Sequence, residues 1–403
     1  MRNFRSCVRT RFQPNPHLSA LIGKNGSGKS SILTSFLLLK SISFAQRHSD
    51  ESSGHVRSLI EASFCYRDKE FHLRASIFYS PTDRGRDEVT GATTQWNFGA
   101  FTGHDAWIPF PLALSWEYSE GEAHWYLRSQ LDRVLRPRSP RRNLLVKQIL
   151  QLLKKAHNFL GGISYYSASQ FTDPTKCPVS FELEEERPLR RAVRGAEHSK
   201  VLHDMYVASK NRNKDGSYAE FIDLIGPHGL GLIERLEFRE LSLPQSRYEV
   251  GAGGKVIKQQ LSRKLIVPNV KLDGTRLSPS QLSEGTFKTI ALLFYLVSDK
   301  SRLLLIEEPE VCIHHGLLKS IIELIKDYSR QKQIIVSTHS DFVLDALPPQ
   351  NVFVVRKQAR FGTKIAPISK VLSFGDYRAL RDYLADVGNL GEFWRHGGFE
   401  TND

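Results

Sequence analysis

The sequence predicts an α/β chain: a phosphate-loop nucleotide-binding fold with a mixed sheet and an antiparallel β-subdomain, interrupted by an inserted, mainly helical domain. Three observations carry that prediction. Residues 23–30 read Gly-Lys-Asn-Gly-Ser-Gly-Lys-Ser, between an apolar run from Leu18 to Ile22 and a helix-like one from Ser31 to Leu39. Leu303-Leu304-Leu305-Ile306 runs into Glu307 and Glu308, the pattern of a buried parallel strand that ends in carboxylates. A strongly basic, helix-patterned stretch stands between these halves.

The first motif is a complete G-x-x-x-x-G-K-[ST] loop, and each residue type in it suits phosphate. Gly23, Gly26 and Gly28 let backbone N–H groups, with those of Asn25, Ser27 and Ser31, turn toward the α- and β-phosphates. Lys29 can reach the β/γ oxygens, and the Ser30 hydroxyl can ligate Mg²⁺. A chance glycine-rich turn is the bland alternative, and the strand-loop-helix context argues against it.

The elements follow in order. Residues from Asn3 to Phe12 and from Leu18 to Ile22 read as two strands separated by Pro14-Asn15-Pro16 and leading into the loop. Alternating apolar and aromatic residues from Ile60 to Tyr79 and from Trp107 to Leu127 predict antiparallel strands, with 81–94 as a loop. A helical insertion is expected from about Leu127 to Leu160, with Leu145, Ile149, Leu152 and Leu153 on one face, then a short strand over 162–167. The charged stretch from Glu182 to Lys214 reads as helices followed by a loop. From Lys264 onward the pattern is strand, polar turn, helix, strand, helix, strand. The expected division is 1–126, 127–263, 264–370 and a helical, aromatic docking segment over 371–403.

Composition narrows the class. The chain of 403 residues is 40% hydrophobic and 25% charged, without an apolar run long enough to span a bilayer. Its N-terminus is polar and basic, so neither a secretory leader nor a membrane partner is expected, and the expected location is the cytoplasm. The four cysteines, Cys7, Cys65, Cys177 and Cys312, are scattered, which points to reduced residues rather than a zinc cluster or disulfide framework. The net charge is +13 and unevenly spread. Arg128, Arg133, Arg136, Arg138, Arg141, Arg142, Lys147, Lys154 and Lys155 face a single acid, Asp132, and Arg187, Arg190, Arg191 and Arg194 follow. Such a stripe is the footprint of a phosphate backbone, here possible DNA; a solvated helix face or an acidic protein partner fits the same charges.

The second half of the chain supplies further candidates. Glu307 is placed on Mg²⁺ and its water, and Glu308 as the general base that polarises the attacking water. Ile334-Ile335-Val336-Ser337-Thr338 is another buried strand, ending in His339 near the γ-phosphate. Leu282-Ser283-Glu284-Gly285-Thr286 opens an apolar helix, so Ser283 and Gly285 form a second phosphate-binding helix end.

Phosphate loop, Leu-Ser-Glu-Gly-Thr, Glu-Glu-Pro-Glu and Ser-Thr-His-Ser, in that order, resemble the ATP-binding-cassette (ABC) ATPases, in the SMC-like and RecF-like branch. The resemblance covers roughly 1–45 and 264–356 and implies an ABC-ATPase head with ATP and Mg²⁺ as ligands. It also implies that two heads sandwich ATP, with Ser283 and Gly285 acting on the partner's nucleotide. Ser30 and Ser283 stand more than half the chain apart, unlike transporter cassettes, and the gap carries no coiled-coil heptads. What remains resembles the overcoming-lysogenization-defect ATPases of prokaryotic anti-phage defence, without the length or acidic clusters of a TOPRIM nuclease after His339. The family's linking glutamine is matched by Gln170, with Gln95 or an ordinary surface glutamine as alternatives. His314 and His315 fall where the family has a dimer-contact loop. The expected function is a homo-oligomeric ATPase that regulates a separate effector, a nuclease; the alternative is a RecF-like DNA-repair clamp.

Overall fold

The computed structural model describes residues 1–43, 57–66, 69–81, 87–97, 107–109, 142–184, 197–211, 216–250, 256–311, 313–386, 388–397 and 399. They form two compact units, one of 1–165, 301–306 and 329–403, the other of 166–300 and 307–328.

The first unit contains two sheets. The antiparallel one has the order β2-β1-β4-β5-β6-β7, built from β1 (Arg2–Phe4), β2 (Cys7–Arg9), β4 (Arg57–Tyr66), β5 (Lys69–Pro81), β6 (Asp87–Asn97) and β7 (Trp107–Pro109). Two expectations change here. The stretch from Asn3 to Phe12 is a hairpin, with Phe4 opposite Cys7 and Arg5 at φ 45° in the turn. Without a glycine or asparagine at that bend, the sequence carries no hairpin signal. Within 81–94, residues from Asp87 onward are strand, because Thr94 and Trp96 bury one face as β6 pairs with β5. Of the expected strand from Trp107 to Leu127, residues 110–127 lie outside the described residues.

The mixed sheet has the order β16-β15-β3-β14-β13-β8: β3 (Leu18–Ile22), β8 (Ile163–Ser167), β13 (Leu303–Glu307), β14 (Gln333–Thr338), β15 (Val352–Gln358) and β16 (Gly362–Pro367). Strand β3 is buried at all five positions and pairs in parallel with β14 and β15, as its uninterrupted apolar run requires. Helix α1 (Lys29–Ser43) follows the phosphate loop, and α2 (Arg142–Gly161) is the described part of the predicted insertion. Val146, Ile149, Leu153, Ala156 and Leu160 line one side of α2 and sit in the core of this unit with Ile32, Leu33, Leu303 and Ile335. Each large aliphatic there is worth about 1.5–3 kcal/mol of transfer free energy. That burial, rather than charge, places α2 in the nucleotide-loop unit, although the expected division put it in a separate domain.

The second unit holds β9 (Phe181–Glu184), α3 (Glu197–Lys210), α4 (Ser217–Ile225), β10 (Arg235–Val250), β11 (Val256–Leu272), β12 (Thr275–Leu277), α5 (Glu284–Val297) and α6 (His315–Tyr328). The region expected to be mainly helical thus also carries a long hairpin, β10–β11, paired from Arg235↔Lys271 to Val250↔Val256. Its period of two is legible in Leu236, Phe238 and Ile266 and lies outside the helical pattern that dominates the preceding residues. Helix α5 is buried at every position from Phe287 to Val297. His198 stacks on Phe287 with centroids 5.4 Å apart, and Phe221 meets Phe294 edge-on at 5.5 Å.

The C-terminal stretch of the first unit forms α7 (Asp341–Asp345), α8 (Ile368–Val371), α9 (Phe374–Asp386) and α10 (Leu390–Arg395). Leu390, Gly391 and Phe399 are buried, and the Gly391 N–H donates to Asp345 Oδ1 at 2.6 Å. Arg395 pairs with Asp341 and holds its carboxyl below the usual carboxylate range. This segment therefore packs on α7, while Phe374 stays exposed.

Candidate functional site

The phosphate loop grows out of β3. Parallel pairing of Thr338 with Ile22 and of Val354 with Ile22 brings the C-terminal ends of β14, β3 and β15 to one edge of the sheet. Gly23 and His339 follow those ends directly. The Gln333 N–H donates to the Arg302 carbonyl at 3.0 Å and the Arg302 N–H to the Gly162 carbonyl at 3.2 Å. The starts of β14, β13 and β8 thus lie together, and residues 303–306 run toward the same edge. Ligands of open parallel sheets bind at such carboxyl ends.

Packing fixes the loop. A Cβ on Gly23 would stand 2.2 Å from the Val355 carbonyl oxygen. Gly26 and Gly28 have φ of 76° and 105°, and a Cβ on Gly28 would meet Thr363 Oγ1 at 2.1 Å and Ser6 Oγ at 2.6 Å. Thr363 is buried; its hydroxyl donates to the Ser27 carbonyl at 3.0 Å and lies 2.8 Å from Ser6 Oγ, which in turn donates to Ser31 Oγ at 3.0 Å. Ser6 and Thr363 thus form the floor under the loop. Sequence reasoning missed both, since neither belongs to a motif and Thr363 arrives through the β15–β16 hairpin.

The polar groups of the loop fit a phosphate ligand. Lys29 is 6% exposed, and its ammonium donates to the carbonyls of Gly23 at 2.6 Å and Lys24 at 3.4 Å. Ser27 Oγ is buried with no hydrogen-bond partner among the described residues, a donor of the kind an incoming oxyanion satisfies. Asn25, Gly26 and Ser30 are exposed on the outer side.

The remaining candidates are positioned as follows. Glu307 closes β13, and Glu308 comes next at φ 51°, a left-handed conformation that costs a non-glycine residue about 1–2 kcal/mol. His339 is exposed between β14 and α7. Ser283 is the N-cap of α5: its Oγ accepts from the Thr286 N–H at 3.2 Å, and Gly285 lies in the first turn. Lys288, fully buried one turn on, pairs with Glu284 at 2.6 Å. Gln170 sits in a single helical turn after β8 with its Oε1 buried and unpartnered among the described residues, while Gln95 is on β6. Gln170, Ser283 and Gly285 belong to the second unit, and Gly23 to Ser31 and His339 to the first. His314 and His315 are exposed at the start of α6. Within the basic stripe, Arg128 to Arg141 lie outside the described residues, as do Arg187 to Arg194; Lys147 is exposed on α2, and Lys154 and Lys155 are half-buried. No helix among the described residues is long and apolar enough to cross a membrane.

Fold and loop together define an α/β protein with a nucleotide-type phosphate loop at the carboxyl edge of a mixed sheet. Residues 180–345 match the family model described as "AAA domain, putative AbiEii toxin, Type IV TA system". The match takes in Ser283, Gly285, Glu307, Glu308 and His339 and leaves out the phosphate loop. No curated protein matches the chain. Among solved structures it is similar to the SMC head domain from Thermotoga maritima, at 14% identity over 91% of this chain and 97% of that one, with a TM-score of 0.43. It is also similar to the Smc head domain with an extended coiled coil, bound to the C-terminal domain of ScpA, from Pyrococcus furiosus. There the identity is 12%, over 95% and 98% of the chains, and the TM-score 0.45.

Proposed function

We propose that the protein is an ABC-type ATPase whose nucleotide-driven self-association regulates a separate effector, a nuclease, in prokaryotic anti-phage defence. One observation carries the ATPase reading. A phosphate loop whose Gly28 cannot accept a Cβ leaves the sheet at the carboxyl edge where β14 also ends, with His339 next in the chain. In this reading Gly23, Asn25, Gly26, Ser27, Gly28, Lys29 and Ser31 hold the phosphates, and Gln170 links the nucleotide to the second unit. Ser30 and Glu307 would hold Mg²⁺, which neutralises charge on the phosphate oxygens. Glu308 takes the proton of the attacking water, and His339 hydrogen-bonds the γ-phosphate. Ser283 and Gly285 of a second copy complete the site, because an N-capped helix start presents N–H groups to an anion.

The defence role draws support from the toxin named in the matching family description and from the resemblance of the four motifs; the location it implies is the cytoplasm. The test is the solution mass of wild type and Glu308→Gln with and without ATP·Mg²⁺, with co-purifying polypeptides identified. The reading expects an ATP-dependent dimer or larger assembly, persistent in the variant and carrying a nuclease. A protein whose mass ignores ATP in both forms contradicts it, and one that brings down only DNA favours the repair clamp.

A further inference from the structure

The first unit carries a basic surface built from two segments that lack acids. Residues 1–49 contain no aspartate or glutamate, and neither do residues 346–375. The fold brings these two acid-free segments together. The Thr363 N–H donates to the Ser6 carbonyl at 2.8 Å, Thr10 Oγ1 to the Thr363 carbonyl at 2.6 Å, and Lys364 Nζ to the Arg9 carbonyl at 3.5 Å.

One like-charge pair results. Arg2 stands directly opposite Arg9 on β1–β2, both exposed, and Lys364 on β16 reaches toward Arg9. Like charges in cross-strand register are unfavourable unless an anion answers them. Arg2, Arg9, Arg360 and Lys364 make no ion pair among the described residues. The nearest acid on an adjoining strand, Glu61 of β4, already accepts from Arg74 Nε at 2.7 Å. At the tip of the β15–β16 hairpin, Phe361 is 53% exposed, with the Arg360 guanidinium 5.9 Å and the Lys364 ammonium 5.4 Å from its ring centre.

We propose that this surface binds the backbone of single-stranded nucleic acid, with Phe361 as the platform for one unstacked base. The cations without acids call for a polyanion, and an exposed ring among them distinguishes a nucleic-acid strand from an acidic peptide: bases stack on such a ring while the phosphates track the cations. Thr363, one residue from Lys364, is the floor of the phosphate loop, so a strand bound here rests on the element that shapes the nucleotide site.

The experiment is fluorescence anisotropy of the nucleotide-free full chain with a labelled oligo-dT, over a salt series, so it does not depend on the ATPase reading. Wild type should bind with an affinity that falls steeply with salt. The triple variant Arg9→Ala, Arg360→Ala, Lys364→Ala should bind at least about tenfold more weakly, its log–log salt slope shallower by about 0.7 for each cation removed. Phe361→Ala should weaken oligo-dT by about 5- to 100-fold and leave a duplex of the same length unchanged. Should the triple variant fail to match the thermal melt of wild type, Arg360→Ala alone, at the exposed tip, carries the test. Wild-type affinity and slope in the variants would overturn the proposal, as would binding confined to phosphatidylserine vesicles.

Discussion

Substituting Gly28 by alanine should damage the phosphate loop far more than the same change at Gly26, and the difference can be worked from the structure. Both glycines have positive φ, so alanine at either pays about 1–2 kcal/mol for the left-handed backbone. At Gly26 nothing lies within 4 Å of the new methyl, and that strain is the whole cost. At Gly28 the methyl would stand 2.1 Å from Thr363 Oγ1 and 2.9 Å from Thr363 Cγ2, well inside contact distance. Thr363 is buried and held by the Ser27 carbonyl, so it cannot swing away without breaking the floor of the loop. Overpacking of this kind adds about 1–3 kcal/mol, for a total near 2–5 kcal/mol. If the loop shifts to escape the clash, the cost reappears as lost affinity, at about tenfold per 1.4 kcal/mol. Titration with a fluorescent ATP analogue, alongside a urea melt, reads both. Gly26→Ala should lose at most about 30-fold, and Gly28→Ala about fivefold or more beyond that. Equal behaviour of the two variants in both assays would refute the packing argument.

Further consequences follow from other contacts. Ser283→Ala removes the cap of α5 and should cost about 1 kcal/mol in a urea melt. Ser283→Asp keeps the cap but sets a carboxylate where a partner's phosphate is expected, so stability should hold while ATP-dependent association falls; association unchanged in the Asp variant would remove Ser283 from the trans role. Gly391→Ala would push a methyl to 2.3 Å from the Asp341 carbonyl oxygen, so limited proteolysis should release the C-terminal segment from the variant and spare wild type. Arg395→Ala, which breaks a solvent-exposed pair, should leave the urea midpoint nearly unchanged. His198 is buried against Phe287, and that burial, with Lys176 nearby, lowers its pKa below the ordinary 6.5. A depressed folded pKa means stability that is complete above the unfolded value and lost as pH falls through the folded one. The urea midpoint should therefore drop on acidification below about pH 6.5, and His198→Asn should flatten that part of the profile.

Much of the site was legible because its chemistry demands particular residues in adjacent positions. Gly26, Gly28, Lys29 and Ser30 sit in one short motif, and a buried strand such as Leu303–Glu307 announces itself by an unbroken apolar run ended by acid. The support beneath was not legible. Ser6 and Thr363 are ordinary residues far apart in sequence, brought together only when β15 joins β3 and folds back through Gly362. Local strand signals failed where pairing outweighs propensity, as at the β1–β2 turn through Arg5 and in β6, whose Gly91 and polar residues read as loop until Trp96 is buried. The hairpin β10–β11 was obscured because charged residues such as Glu237 and Arg239 alternate with its few apolar ones, leaving a weak period of two beside the stronger helical pattern that precedes it.

The central claim, that the loop beginning at Gly23 is a working ATPase site, is met most directly by phosphate release from the purified protein with ATP·Mg²⁺, in wild type, Lys29→Met and Glu308→Gln, with nucleotide binding measured on the same samples. Turnover is expected in wild type only, with binding lost in Lys29→Met and retained in Glu308→Gln. Turnover in Glu308→Gln equal to wild type, or no binding of ATP by wild type at millimolar concentration, would contradict it.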